Sequence, residues 1–258
     1  MSFHNSLLSR AMFQIRLIAF VALTLFSVPT WADCAGHYGG GQQPSSKVAL
    51  ITLCSFSYAV GYSSTDHEAL WSAEHLTAAN IRSAQRLQGR AHFQEDLRLP
   101  YGQRSEPYDY KRSGWSRGHL TPSGDAPNRA AREETFLFSN MVPQAAKLNS
   151  GVWNHLEANV RKLAIQKGDI YVVTGPGFRE SLGTIGPDHV RVPSSLWKAI
   201  YVPEMKAVAV VVCKNTTPYR CNTVGLDSLE RVTGIDPFPV LSPEEKSRNT
   251  KLEKTLVR

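Results

Sequence analysis

The sequence predicts one domain of the α/β class, and three observations carry that prediction. The runs DIYVVTG (residues 169–175), LWKAIYV (196–202) and AVAVVVC (207–213) are β-branched and aromatic and read as strands. Residues 149–166 carry apolar residues at helical spacing and read as a long helix. Neither an internal repeat nor a dividing linker interrupts the chain, and a hydrophobic content of 42% over 258 residues supplies a core and excludes disorder as the main state.

Taken in order, residues 36–46 are rich in Gly, Gln, Pro and Ser and read as a loop, and 47–62 as one or two strands. Residues 66–88 read as largely helical, with Leu70, Trp71, His75 and Leu76 at helical spacings and Gly89 as the stop. Residues 99–127 are dense in Pro, Gly, Ser and Tyr, a composition of loops that carry binding groups. TFLFSNMV (135–142) reads as a strand ended by Pro143. The helix over 149–166 is capped by Asn149 or Ser150, buries Val152, Leu156, Val160 and Leu163, and stops at Gly168. TGPG (174–177) reads as a turn, since no helix with phosphate-loop spacing follows. After Val224 come a helix, a Pro-rich turn over 236–239 and a charged tail from Ser242.

The first residues have another character. Residues 1–16 hold two arginines and no acid, 17–28 are apolar, and PTWA ends on the small Ala32. This is the layout of a secretory leader, 1–32, cleaved after Ala32 to leave a domain over 33–258. A membrane anchor is the rival, but the apolar run is shorter than the roughly 20 residues a span needs. Export implies a periplasmic or secreted protein without stable membrane association after cleavage. No lipidation motif surrounds Cys34. In an oxidising compartment the four cysteines pair, and closeness in sequence favours Cys34 with Cys54 and Cys213 with Cys221. A zinc site is disfavoured, because no close Cys pair stands beside a His pair.

The chain carries 29 Lys and Arg against 22 Asp and Glu; without Arg10 and Arg16 the excess is five. Residues 81–132 alone hold ten basic and five acidic residues, so the whole surplus of the processed chain sits there. Such a field attracts polyanions in a salt-dependent way; a solvated basic face without a partner is the equal alternative.

That basic segment contains SRGHLTPSGD (116–125), directly after the aromatic and basic run YDYKRSGW. A histidine near a fixed cation resists protonation, which makes His119 a candidate base beside Arg117. Further along, the strand ends near Asn140 and the helix brings Asn149, Glu157 and Arg161. These join if the motif begins one strand of a hairpin and the helix packs behind it. The chemistry this set serves is phosphodiester hydrolysis, which needs a base for water, a hard divalent cation for the leaving oxygen and fixed cations for the phosphate. Each residue also has an ordinary reading. His119 alone is more often a hydrogen-bonded structural histidine, and Asn149 at a helix start serves as a cap as readily as a cation ligand. Glu157 and Arg161 have the spacing of a surface ion pair, although they lie at the edge of the apolar stripe. Asn140 and Gln144 satisfy backbone groups at a strand end equally well.

SRGHLTPSGD followed by FLFSNMVPQAAKLNSGVWNHLE resembles the DNA/RNA non-specific endonuclease family, whose active site is a ββα-metal finger of the Serratia nuclease class. The matching positions are Arg117, Gly118, His119, Ser139, Asn140, Pro143, Gln144, Asn149, Trp153, Leu156 and Glu157, and a looser likeness runs from about Tyr58 to Gly234. The resemblance implies an α+β fold with a central antiparallel sheet flanked by helices and a catalytic ββα element over about 115–166. It implies cleavage of DNA and RNA, with His119 as general base and Asn149 as the direct protein ligand of a largely hydrated Mg²⁺, for which Mn²⁺ can substitute. Glu157 would hold the ion's waters, Arg117 and Arg161 would contact the phosphate, and Asn140 would support the site through hydrogen bonds. Arg90, in GRAHFQED, is similar to a family arginine near the phosphate. The family places Asp where this chain has Ser116, which removes a charge that would steer Arg117 or the metal's waters. A homodimer is compatible with this reading. The rivals are a catalytically silent nucleic-acid-binding protein of the same fold, and an exported module whose basic face takes an acidic polysaccharide or protein.

Overall fold

The computed structural model describes Met1, residues 34–247, Leu252 and Leu256. The expected leader beyond Met1 and its cleavage point lie outside the described residues. No helix among the described residues is long and apolar enough to cross a membrane.

Seven strands form one antiparallel sheet: β1 (Ile51–Cys54), β2 (Tyr58–Ser63), β3 (Glu68–Thr77), β6 (Asp169–Gly177), β7 (Ser195–Val202), β8 (Ala207–Lys214) and β9 (Cys221–Val224), in the spatial order β9-β8-β7-β6-β3-β2-β1. Between β3 and β6 the chain leaves the sheet and makes a separate two-stranded ribbon, β4 (Ser116–His119) and β5 (Met141–Gln144). The main helices are α1 (Ala78–Arg86), α2 (Asn154–Lys167) and α3 (Leu226–Thr233).

Alternation along the strands sends side chains to two separate cores. Tyr58, Val60, Ile170, Val172, Leu196 and Ile200 meet Leu156, Val160 and Leu163 of α2 on one face. Ala59, Trp71, Ala73, Trp197, Ala199 and Val210 meet Leu226, Leu229 and Phe238 on the other. Burial on both faces explains why these antiparallel strands read as continuous apolar runs, a pattern more usual in parallel sheets.

The same double burial misled the reading of residues 66–88. Leu70, Trp71, His75 and Leu76 lie on β3, the strand between β2 and β6, and only Ala78–Arg86 is helical, capped where Thr77 Oγ1 accepts from Asn80 N at 3.1 Å. TGPG is not a turn either, because it continues β6 opposite β7, with Gly175 paired to Trp197. A β-carbon on Gly175 would come within 2.5 Å of the Trp197 ring, and the indole donates to Pro176 O at 2.9 Å. Pairing of β6 with β3 ends at Thr174, so Pro176, opposite Leu196, has β7 as its one partner strand.

The strand expected over 135–142 starts later. Phe138–Asn140 is a 3₁₀ turn and Pro143 sits inside β5 instead of ending it, which a two-stranded ribbon tolerates because both its strands are edges. Helix also begins upstream of Asn149: Ala146–Leu148 is one α turn that Asn149 closes with helical φ and ψ (−56°, −49°), and Asn149–Trp153 is a π turn broken at Gly151, so Asn149 is not the N-cap expected. The stop at Gly168 is as expected, in the left-handed conformation at φ 82°. Both disulfides follow the expected pairing, Cys34 with Cys54 and Cys213 with Cys221.

Candidate active site

The ribbon places the motif residues. In β4, Arg117 and His119 project to one side and Gly118 to the other, with Ser116 opposite Gln144 and His119 opposite Met141. Gly118 is required for this closeness, since a β-carbon there would lie 2.2 Å from Gln144 Oε1. The chain beyond His119 is locked by Asn140, which is fully buried. Its Oδ1 accepts from Thr121 N at 3.0 Å, and its Nδ2 donates to Thr121 O and Thr135 O, each at 2.9 Å. Thr121 in turn meets Ser72 of β3 through a hydroxyl pair at 2.7 Å, so the loop is tied to the sheet.

His119 packs edge-on to Phe136, with ring centroids 4.8 Å apart, and lies 5.8 Å from Phe93. Its Nε2 is covered and has no hydrogen-bond partner among the described residues. Burial, joined by the charge of Arg90, lowers its pKa from the usual 6.5 to about 4. The neutral state expected from the sequence therefore holds, with a different cause. Arg117, the cation adjacent in sequence, is turned onto the Phe93 ring at 4.2 Å.

On the helical side, the π turn over Asn149–Trp153 is broken at Gly151, whose φ of −104° and ψ of −116° are not helical, so Asn149 and Glu157 sit on either side of a kink. The side chain of Asn149 makes no hydrogen bond among the described residues and faces an open cleft. Glu157 does not pair with Arg161 four residues on. Arg161 Nη1 instead donates to Asp125 Oδ1 at 2.9 Å, with Asp125 3% exposed. Burial pushes the Glu157 carboxyl up to about 7, and Asp125 adds to the effect while Lys198 and Arg161 oppose it.

Behind these lies a buried charge cluster that sequence reasoning missed. Glu74 is 2% exposed and Lys198 1%. Lys198 donates to Thr174 Oγ1 at 2.6 Å and stands 5.3 Å over the Trp153 ring. Burial, then Asp125, hold the Glu74 carboxyl well above the usual carboxylate range. A signal existed, since LWKAIYV and LWSAEHL each carry a charge amid apolar residues. Only the sheet order shows that β3, β6 and β7 aim these groups at the same helix.

A cleft of about 600 Å³ opens in front of the ribbon. Arg90, Lys111, Arg112 and Arg117 line it with Phe93, Tyr110, Trp115, Ser116 and Asn149, and no carboxylate is among its lining residues. None of the four cations has an ion-pair partner among the described residues. Of the residues singled out in the sequence, Arg90, Arg117 and Asn149 thus share the cleft. His119 lies against Phe93 of its wall, whereas Glu157, Arg161 and Asn140 are not among its lining residues.

Residues 42–244 match the model of the family described as DNA/RNA non-specific endonuclease. The chain is 34% identical over 213 residues to the mitochondrial nuclease EXOG of Danio rerio, covering 74% of this chain and 62% of that protein. It is 33% identical over 205 residues to nuclease C1 of Cunninghamella echinulata var. echinulata, covering 72% and 81% respectively. Among solved structures, the crystal structure of an EndoG/EndoGI complex superposes with a TM-score of 0.64 at 27% identity, over 78% of this chain and 88% of that one.

Proposed function

The chain belongs to the DNA/RNA non-specific endonuclease family, and we propose that it hydrolyses phosphodiester bonds of both DNA and RNA at the cleft in front of the ribbon. The observation that carries this reading is the conjunction of four cations without ion-pair partners and no carboxylate lining the cleft with a half-buried imidazole, its Nε2 without a partner among the described residues, beside Phe93 of the cleft. Phosphate backbones supply the complementary charge, and contacts to phosphate carry no base information, which suits cutting without sequence preference.

Arg117 and Arg90 hold the scissile phosphate and balance the extra charge it acquires. His119 takes a proton from the attacking water at Nε2, an atom with no competing partner among the described residues. Asn140 keeps that ring in place through Thr121, and Asp125 does the same for Arg161. The donor set suits a hydrated hard cation. Asn149 offers an uncommitted amide at the cleft, and Glu157 lies eight residues further on, in α2. Asn149 would hold Mg²⁺, or Mn²⁺ in its place, and Glu157 its waters, and such an ion would supply charge compensation for the leaving oxygen. The two disulfides and the leader-like first residues support export to the periplasm or medium.

Nicking of supercoiled plasmid and degradation of RNA, each with Mg²⁺ and with EDTA, test the proposal. Cleavage of both polymers that EDTA abolishes is the expected result. Salt-sensitive binding without cleavage in either metal would establish the silent nucleic-acid-binding protein instead.

A further inference from the structure

Next to the arginine-lined cleft is a second one of about 750 Å³, bounded by Trp115, Lys147, Thr216, Thr217 and Tyr219. The two share a wall, because Trp115 lines both. Their chemistry differs. The first carries four cations; the second carries Lys147 alone among hydroxyl groups and aromatic rings, with no carboxylate.

The far wall is held firmly against the catalytic element. Asn215 is fully buried at the end of β8, where its Oδ1 accepts from Ala145 N at 2.9 Å and its Nδ2 donates to Pro143 O at 3.0 Å and Pro193 O at 2.8 Å. The Cys213–Cys221 disulfide closes the same hairpin. Asn215, the residue before Thr216, is thereby tied to the ribbon end at Ala145, four residues before Asn149, and Tyr219 packs partly buried against the core. A wall organised in advance loses little freedom when a ligand orders against it.

We propose that this second cleft is a nucleotide subsite, taking the unpaired base and sugar next to the scissile phosphate, with Trp115 and Tyr219 as stacking surfaces and Lys147 on the following phosphate. The inference rests on the nuclease reading and deepens it. Aromatic faces accept any base, which is compatible with cutting without sequence preference, while hydroxyl groups suit sugar edges. A base reaches such a surface only when unstacked from a partner strand. The subsite therefore gives the enzyme a preference for single-stranded or locally opened substrate.

The test compares kcat/KM in Mg²⁺ for a 12-nucleotide single strand, the matching duplex and bis(4-nitrophenyl) phosphate, a diester too small to bridge both clefts. The wild-type protein should favour the single strand over the duplex. Tyr219→Ala and Trp115→Ala should each lower the ratio of single-strand to small-ester kcat/KM by about tenfold, chiefly through KM. Tyr219→Phe and Trp115→Phe, which keep a ring, should restore most of it and so separate stacking from loss of packing. A ratio that stays at the wild-type value in both alanine variants would overturn the subsite and leave the nuclease reading intact. Failure of the wild-type protein to cleave any of the three would remove the nuclease reading itself and the subsite with it.

Discussion

Arg161 gives its Nη1 to Asp125 at 2.9 Å and not to Glu157, its neighbour one turn earlier on α2. The one acid of the SRGHLTPSGD run is thus joined to α2, which carries Glu157, and the two halves of the site hold each other in place. Burial works against the Arg161 charge, and Asp125 more than compensates, keeping the guanidinium above its usual value.

Asp125→Asn should therefore lower both stability and activity. Losing the charged partner of a mostly buried guanidinium costs about 2 kcal/mol, which urea unfolding would measure. Cleavage should fall with KM for DNA little changed, because neither Asp125 nor Arg161 lines the cleft. An unfolding midpoint equal to that of the wild type would show the pair to be incidental.

Asn140 and His119 should separate structure from chemistry. Asn140→Ala strands the Thr121 N–H and the carbonyls of Thr121 and Thr135 in a fully buried place, a loss of about 3 kcal/mol. His119→Ala leaves no such buried donor without a partner, so its unfolding midpoint should stay closer to that of the wild type. Equal destabilisation of the two variants in parallel denaturant titrations would assign His119 a structural role.

The pH dependence has a defined sign. His119 has a folded pKa of about 4, below the usual 6.5, so its contribution to stability is complete above pH 6.5 and disappears as pH falls toward 4. Glu157, raised to about 7, acts the opposite way: its contribution is present below the usual carboxylate pKa and disappears as pH rises through 7. In EDTA, His119→Gln should flatten the acid-side loss of stability between pH 6.5 and 4, and Glu157→Gln should flatten the alkaline-side loss between pH 4.5 and 7. Urea titrations across that window would show two slope changes of opposite sign; slope changes of the same sign would contradict the assignment.

Ser116 lines the cleft together with Asn149. Ser116→Asp adds a carboxylate where the related pattern has one, and several-fold less Mg²⁺ should then half-activate cleavage. An unchanged Mg²⁺ titration would show that position 116 does not influence the ion.

Much of this site was legible because local chemistry dictated it. The hairpin that the Arg117 and His119 motif was expected to open is β4 with β5, and Gly168 ends α2 as its lack of a side chain suggests; the need for Gly118 to leave room for Gln144 appears only in the fold. What was not legible depended on the sheet. Trp71 and His75 looked helical because both faces of β3 are buried, which erases the alternation that marks a strand. The field on His119 comes from Arg90, 29 residues earlier, and the partner of Arg161 comes from a loop 36 residues earlier. Neither is written in spacing. The π turn at Asn149–Trp153 escaped for another reason: the apolar spacing of Val152, Leu156, Val160 and Leu163 says nothing of the local break at Gly151.

The most direct test is cleavage and binding by His119→Ala in one buffer. The variant should bind a labelled DNA strand, followed by fluorescence anisotropy in Mg²⁺, with an affinity within about threefold of wild type, since the four cleft cations are untouched. Its cleavage of the same strand should fall by at least about a hundredfold, the lower range for loss of a general base. Wild-type cleavage by this variant would contradict a proton-accepting role for His119 and, with it, the proposed mechanism.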